Sequence, residues 1–442
     1  MRQASLLRER VRAAEWVGRI GHVTRFVGLA LQSRGPDARL GEICEISSRT
    51  RGNRTLAEVV GFSEGHVLLM PYGDLIGIEA GSEVIATGES ASVSVGSHLL
   101  GRVIDGFGAP LDGKPLPRAG ASVPLDSPPI NPLDRGTPRQ VLETGIRSID
   151  SLLTLARGQR IGIFSGSGVG KSTVLGMIAR HVKCDVSVIA LVGERGREVK
   201  AFVESGLAPE ARERCVVVAA TSDQPPLVRR RAAFLATAVA EYFCDRGQHV
   251  CLTMDSVTRV AMAQREIGLA GGEMPAARGY TPSVFAMLPR LLERGGVRAA
   301  GGSLTALYTV LVEGDDFNDP ISDATRSILD GHIVLARAIA QRGRYPAVDV
   351  TQSVSRLASS IVSEADARTM TDVVKMLALY ESSRDLIEVG AYRAGTHPAV
   401  DRAIQLVPAL EQFLAQRPDE VEPRASCMTR LASLLATPVK VA

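Results

Sequence analysis

The run Ser165-Gly166-Ser167-Gly168-Val169-Gly170-Lys171-Ser172-Thr173 has the residue types that hold a polyphosphate. Gly166, Gly168 and Gly170 let the backbone turn tightly with successive N–H groups facing inward, so that the loop can wrap a β-phosphate. Lys171 brings a positive charge to the β- and γ-phosphates, and the Ser172 hydroxyl is placed to ligand Mg²⁺. The spacing departs from G-x-x-x-x-G-K-[ST] at one position, where Ser165 stands in place of the first glycine. That position only begins the turn, so a small residue fits if its backbone stays at negative φ.

A loop of this kind works between the end of a strand and the start of a helix. Ile161-Gly162-Ile163-Phe164 reads as a buried strand and residues 172–182 as a helix, whose N-terminus adds its positive end to the phosphate site. Companion groups belong at the ends of neighbouring strands. The apolar stretch 249–254 ends in Asp255, placed to hold the water shell of Mg²⁺, although an Asp after a strand is also an ordinary helix cap. The stretch 186–192 ends at Gly193-Glu194-Arg195, where Glu194 is placed to polarise an attacking water.

These groups need a scaffold, and the texture of the chain supplies one. From residue 18 to 107, short alternating runs broken by Gly, Asn or Asp every eight to twelve residues predict a small antiparallel β-barrel. Residues 108–139, crowded with proline, read as an extended linker. Over 140–350, apolar strands alternate with helical patterns, which predicts a parallel sheet wrapped by helices. From about 350 onward no strand is expected, and residues 351–442 read as a small helical domain with Arg356 at its start. Ala4, Leu7, Val11 and Ala14 recur at helical spacing among charged residues, so residues 1–17 are expected to form an amphipathic helix. The fold class is α/β: a central phosphate-loop domain between a small barrel and a small helical domain.

Composition narrows the function. At 442 residues, 45% hydrophobic and 22% charged, the chain has the makeup of a folded protein of two or three domains. Lys plus Arg exceed Asp plus Glu by only 51 to 48, which gives no electrostatic case for binding nucleic acid. The six cysteines, at 44, 184, 215, 244, 251 and 427, make no zinc-type spacing and suit a reducing cytosol. No run of 18 apolar residues occurs and the first residues lack the apolar block of a secretory leader, so neither a membrane span nor secretory export is expected.

Several ordered motifs together resemble one family. They are the stretch 142–173, "VGERGRE" at 192–198, "GYTPSVFAMLPRLLERGG" at 279–296, "VEGDDFNDPISDATRSILDGHIVLAR" at 312–337 and "YPAVDVTQSVSR" at 345–356. They are similar to the rotary-type hexameric ATPases, the superfamily of the ATP synthase catalytic subunit, from roughly residue 18 to 415. Within it, "GERGREV" and the C-terminal stretch 390–416 resemble the ATPases of flagellar and type III protein export, with the flagellar branch favoured over the injectisome branch.

The resemblance implies ATP and Mg²⁺ as ligands, with Lys171 and Ser172 in the phosphate loop, Glu194 as the catalytic carboxylate and Asp255 at the metal. It further implies that Arg195 and Arg259 line the phosphate pocket and that Tyr345 stacks on the adenine. Arg356 matches an arginine finger that reaches into the neighbouring subunit's site, a device worth roughly 10³–10⁵ in rate. The implied setting is a cytoplasmic homohexamer, peripheral at the membrane. Its implied partners are a regulatory stalk-like subunit met through residues 1–17, chaperone–substrate complexes and a membrane export gate. Two other members of the superfamily stay open as readings, a rotary synthase-type subunit and an RNA translocase of the Rho type. The latter calls for base-stacking aromatics in the barrel, where residues 18–120 offer only Phe26, Phe62, Tyr72 and Phe107.

Overall fold

The computed structural model describes residues 18–48, 54–117 and 120–437, and the helix expected over residues 1–17 lies outside them. The first alternating runs form β1 (Ile20–Val27), β2 (Ala30–Arg34), β3 (Glu42–Ser47), β4 (Arg54–Ser63), β5 (His66–Pro71) and β6 (Glu83–Ser90). They close into an antiparallel barrel in the order β1-β2-β5-β4-β3-β6, which leaves no free edge. Period-two alternation turns Val23, Leu31, Cys44, Ile46, Val59, Leu69 and Val84 into its core. At the β4–β5 hairpin, Glu64 (φ 51°) and Gly65 (φ 76°) both take positive φ, the geometry that two-residue hairpins favour. Pro225–Leu227 and Ala263–Ser283 cluster with the barrel into one compact unit, and the rest of the described chain forms a second.

Past the barrel come the short strands β7 (Ser92–Val95), β8 (Val103–Ile104), β9 (Ala121–Pro124), β10 (Arg135–Gly136), β11 (Val141–Leu142) and β12 (Leu155–Ala156). Then follow β13 (Arg160–Ser165), β14 (Val186–Val192), β15 (Cys215–Ala220), β16 (His249–Asp255), β17 (Gly296–Arg298), β18 (Ser303–Leu311), β19 (Gly331–Leu335) and β20 (Val348–Ser355). The main sheet runs β20-β19-β13-β18-β16-β14-β15-β8. Along this path all neighbours are parallel except β19 and β20, and off it β17 pairs antiparallel with β18 and with β10. Strands β14, β15 and β16 are buried along their whole length, as strands covered by helices on both faces must be.

Three expectations need correction. The run 92–107, read as part of the barrel, leaves it: β7 pairs with β9, and β8 joins the edge of the main sheet beside β15. The stretch 108–139 is more than an extended linker, since β9 and β10 are paired and Arg135 donates to the backbone oxygens of Glu293 and Gly295. A strand does exist past residue 350, because β20 runs to Ser355.

The helices Glu364–Glu388, Pro398–Leu414 and Arg424–Leu435 close the chain. Val373, Leu410, Phe413, Cys427 and Leu431 continue the core that Leu142, Ile149, Ile163 and Ile178 build under the sheet. The helical segment therefore rests on the sheet's own core.

Candidate active site

The strand β13 lies inside the sheet, between β18 and β19, and ends at Ser165. Its last carbonyl accepts the N–H of Val312, which ties the loop's root to the end of β18. Ser165 stays out of the left-handed region, as its side chain requires, while Gly168 (φ 78°) and Gly170 (φ 93°) occupy it. Gly170 caps the helix Lys171–His181, which has no acidic residue in its first turn, so its positive end is left for an anion. Gly166 lies close under two side chains: an added Cβ would lie 2.3 Å from Asp315 Oδ1 and 2.8 Å from Arg337 Nη2, so a larger residue would have to displace that pair.

The parallel register brings the neighbouring strand ends to the same edge, since Ser165 pairs with Leu311 and Leu191 with Asp255. There the Lys171 ammonium sits 2.5 Å from Asp255 Oδ1 and 3.2 Å from Glu194 Oε1. Burial works against the charge on Lys171, but Asp255 and Glu194 outweigh it and hold its pKa above the ordinary lysine value. Asp255 Oδ1 also accepts from Thr309 Oγ1 at 2.6 Å.

Glu194 is aimed by a tight turn. Gly193 (φ 73°) donates to Ala220 O at 2.7 Å, and Glu194 O accepts the N–H of Ser222 at 3.1 Å. An added Cβ on Gly193 would lie 2.9 Å from the Cβ of Arg259, so the Arg259 stem packs on this turn. Arg259 Nε is buried without a hydrogen-bond partner, and so is Ser165 Oγ.

The other expected residues divide. The Tyr345 ring is half exposed and lies 3.5 Å from the position a Cβ on Gly170 would take, beside the start of the phosphate-loop helix. Ser167, Ser172 and Thr173 are exposed at the loop's mouth, and Val169 is buried beneath it. Arg195 is exposed, with its guanidinium 3.6 Å from Glu198. Arg356 is not at this site. It follows β20, whose Ser355 pairs with Gly331 at the start of β19, and its N–H bonds to Asp330 O at 3.0 Å. Asp330 binds Arg160 at the start of β13, so Arg356 stands at the opposite edge of the sheet from its own phosphate loop. The six residues of β13 put roughly 16 Å between the two edges.

Sequence reading missed Thr309, Asp315 and Arg337. Thr309 carries no distinguishing signal, because its strand also holds the hydroxyls of Ser303, Thr305 and Tyr308. Asp315 and Arg337, paired at 3.0 Å, meet the loop through contacts that span more than 140 residues, and no periodicity reports those.

Fold and loop together define an ATPase of the ATP synthase type. The sequence matches the family described as "ATP synthase alpha/beta family, nucleotide-binding domain" over residues 145–355. It also matches that family's "beta-barrel domain" over 23–88 and the "T3SS EscN ATPase C-terminal domain" over 362–433. The chain is 54% identical to the flagellum-specific ATP synthase of Bacillus subtilis (strain 168) over 417 residues, 94% of this chain and 95% of that one. It is 47% identical to the type 3 secretion system ATPase of Xanthomonas euvesicatoria over 427 residues, 96% of each. Its structure is similar to that of the assembled ATPase EscN from the type III secretion system of enteropathogenic E. coli, with a TM-score of 0.89 and 42% identity. That likeness covers 94% of this chain and all of the other. A second structure holds EscN in complex with its central stalk EscO, at a TM-score of 0.86 and 41% identity over the same 94% and 100%. The chain belongs to the family of flagellar and type III secretion export ATPases.

Proposed function

We propose that the chain hydrolyses ATP as a homohexameric ring and uses the energy to deliver and unfold flagellar export substrates, with their chaperones, at a membrane export gate. The observation that carries the reading is the meeting of Lys171, Glu194 and Asp255 at one sheet edge behind the phosphate loop. Arriving phosphates draw Lys171 off the two carboxylates, which frees Glu194 to orient a water and take its proton. Gly168, Gly170 and the unopposed helix N-terminus hold the phosphates. The buried, unpartnered Arg259 Nε supports a place for Arg259 beside them, and the Tyr345 ring offers a face to the adenine.

Among the described residues no group of three or more His, Cys, Asp or Glu could hold a metal alone. That fits Mg²⁺, which binds chiefly through substrate phosphates and needs few protein ligands. Ser172 would hold it directly and Asp255 through water, and the ion supplies charge neutralisation at the β- and γ-phosphates.

Arg356 cannot turn back to its own loop from the far edge of the sheet, which supports its action on a neighbour's site. A ring supplies that neighbour. The EscN–EscO complex supports a central stalk as partner, and the family resemblance is what suggests residues 1–17 as the regulatory contact. No described helix is long and apolar enough to cross a membrane. The reading places the protein in the cytoplasm, peripheral at the inner face of the membrane, without a nucleic-acid partner.

The 54% identity to a flagellum-specific relative favours the flagellar branch, and the 47% identity to a type 3 secretion ATPase keeps the injectisome as second reading. The export-type C-terminal match over 362–433 argues against a rotary synthase subunit or an RNA translocase. Deleting the gene in the source organism separates the branches. Lost flagellar filaments with intact effector secretion are expected, and the opposite pattern overturns the flagellar choice.

A further inference from the structure

Arg356 stands on a mount of buried and partly buried polar groups that the proposed chemistry does not otherwise use. Gln159, fully buried just before β13, accepts the Ala156 N–H on its Oε1 at 2.8 Å, which fixes the orientation of its amide. Its Nε2 then donates to Asp330 O and to Ser355 Oγ, both at 3.1 Å. Both acceptors border the arginine: Asp330 O also takes the Arg356 N–H, and Ser355 is the residue before it. Ser355 Oγ donates its own hydrogen bond to Thr154 O at 3.1 Å.

The Asp330 carboxylate receives Arg160 Nε and Nη2, each at 2.9 Å, and the Arg160 N–H at 3.0 Å. At Gly331 an added Cβ would meet Val354 O at 2.2 Å, so only glycine lets β19 and β20 approach this closely. The backbone around Arg356 is thus fixed from three sides. Its guanidinium is exposed and has no ion-pair partner among the described residues. A rigid base under a free charged end is what a group needs if it must arrive in one orientation at a site outside its own chain.

We propose that Gln159 is a positioning residue for Arg356, acting on the neighbouring subunit's active site and leaving its own intact. The proposal rests on the reading of Arg356 as an arginine finger. A misplacement of about 1 Å in such a group is enough to slow catalysis by as much as 10²-fold. Gln159→Leu, which keeps the bulk and removes all three hydrogen bonds, is therefore expected to lower kcat by roughly 10- to 10²-fold. Nucleotide affinity should hold to within about twofold, because the phosphate loop lies at the other end of β13.

The deciding experiment mixes subunits. Gln159→Leu, differently tagged, is co-expressed with Lys171→Ala, whose own loop is dead but whose Arg356 and mount are intact. In doubly purified mixed rings, the loop of the Gln159→Leu subunit meets a well-mounted arginine from its neighbour, so hydrolysis should exceed the sum of the two parents. Arg356→Ala with Lys171→Ala runs in parallel. Recovery with Arg356→Ala and none with Gln159→Leu overturns the positioning role alone. No recovery in either pair overturns the finger reading beneath it. Ser355→Ala, a milder change to the same mount, should show the same recovery pattern with a smaller loss, and it carries the test if Gln159→Leu does not fold. Weakened nucleotide binding in either mount variant would show that the defect lies in its own phosphate loop and would contradict the proposal.

Discussion

Lys171 and Asp255, 84 residues apart in the chain, meet at 2.5 Å where β13 and β16 end on the same edge of the parallel sheet. Glu194 completes the group from the end of β14. The lysine offsets one of the two negative charges and so eases the repulsion between the carboxylates in a largely buried setting, and the same positive charge is what a triphosphate requires.

From this follows a separation of binding from chemistry. Glu194→Gln keeps the shape and Lys171 but loses the proton acceptor, so kcat should fall by about 10²–10⁴-fold. ATP affinity should be unchanged or tighter, since one carboxylate no longer competes for Lys171. Steady-state hydrolysis and equilibrium titration with a fluorescent ATP analogue check both halves, and a variant that hydrolyses at the wild-type rate would remove Glu194 from the chemistry.

Ser165 invites a stability measurement. Its hydroxyl is buried and has no hydrogen-bond partner, so Ser165→Ala should raise the unfolding free energy by roughly 1 kcal/mol. Hydrolysis should stay near the wild-type rate, because the loop uses this position for its backbone. Denaturant unfolding and an activity assay decide it. A large loss of activity would give the hydroxyl a role that the geometry does not suggest.

His249 predicts an acid limit. Burial, with Arg157 adding to it, pushes the imidazole down to about 4, so the folded protein holds His249 neutral. Between pH 6.5 and 4 the unfolded chain binds a proton there and the folded chain does not. Stability from this group is therefore complete above pH 6.5 and is lost as pH falls, by roughly 3 kcal/mol at pH 4. His249→Gln should flatten that part of the pH dependence in urea titrations at pH 7.5 and 4.5. An unchanged slope would assign the acid sensitivity to other groups.

How far the sequence foretold this arrangement depended on the range of each interaction. The loop, its strand and its helix are local, and the ends of β14 and β16 were readable because an apolar run followed by Glu194 or Asp255 is itself a local pattern. Tight turns such as Glu64-Gly65 made the barrel strands legible in the same way. Val103–Ile104 gave no such sign: two apolar residues join the main sheet only through parallel pairing with Val217–Val218, which lie over 100 residues away. Strand β20 escaped because Asp349, Thr351, Gln352 and Ser353 bond to one another and to the strand's own backbone, which gives an edge strand a polar texture that reads as loop. The far-edge position of Arg356 follows from the antiparallel turn of that strand, so without β20 its inability to serve its own loop could not be read.

The most direct test of a site shared between subunits is specific ATPase activity measured across protein concentration, for wild-type and Arg356→Ala protein together. Wild-type activity should rise steeply as rings assemble. Arg356→Ala should stay roughly 10³-fold or more below it at every concentration while assembling and binding ATP normally. Hydrolysis by Arg356→Ala at the wild-type rate, or wild-type activity per subunit that is independent of concentration, would contradict a site completed by its neighbour.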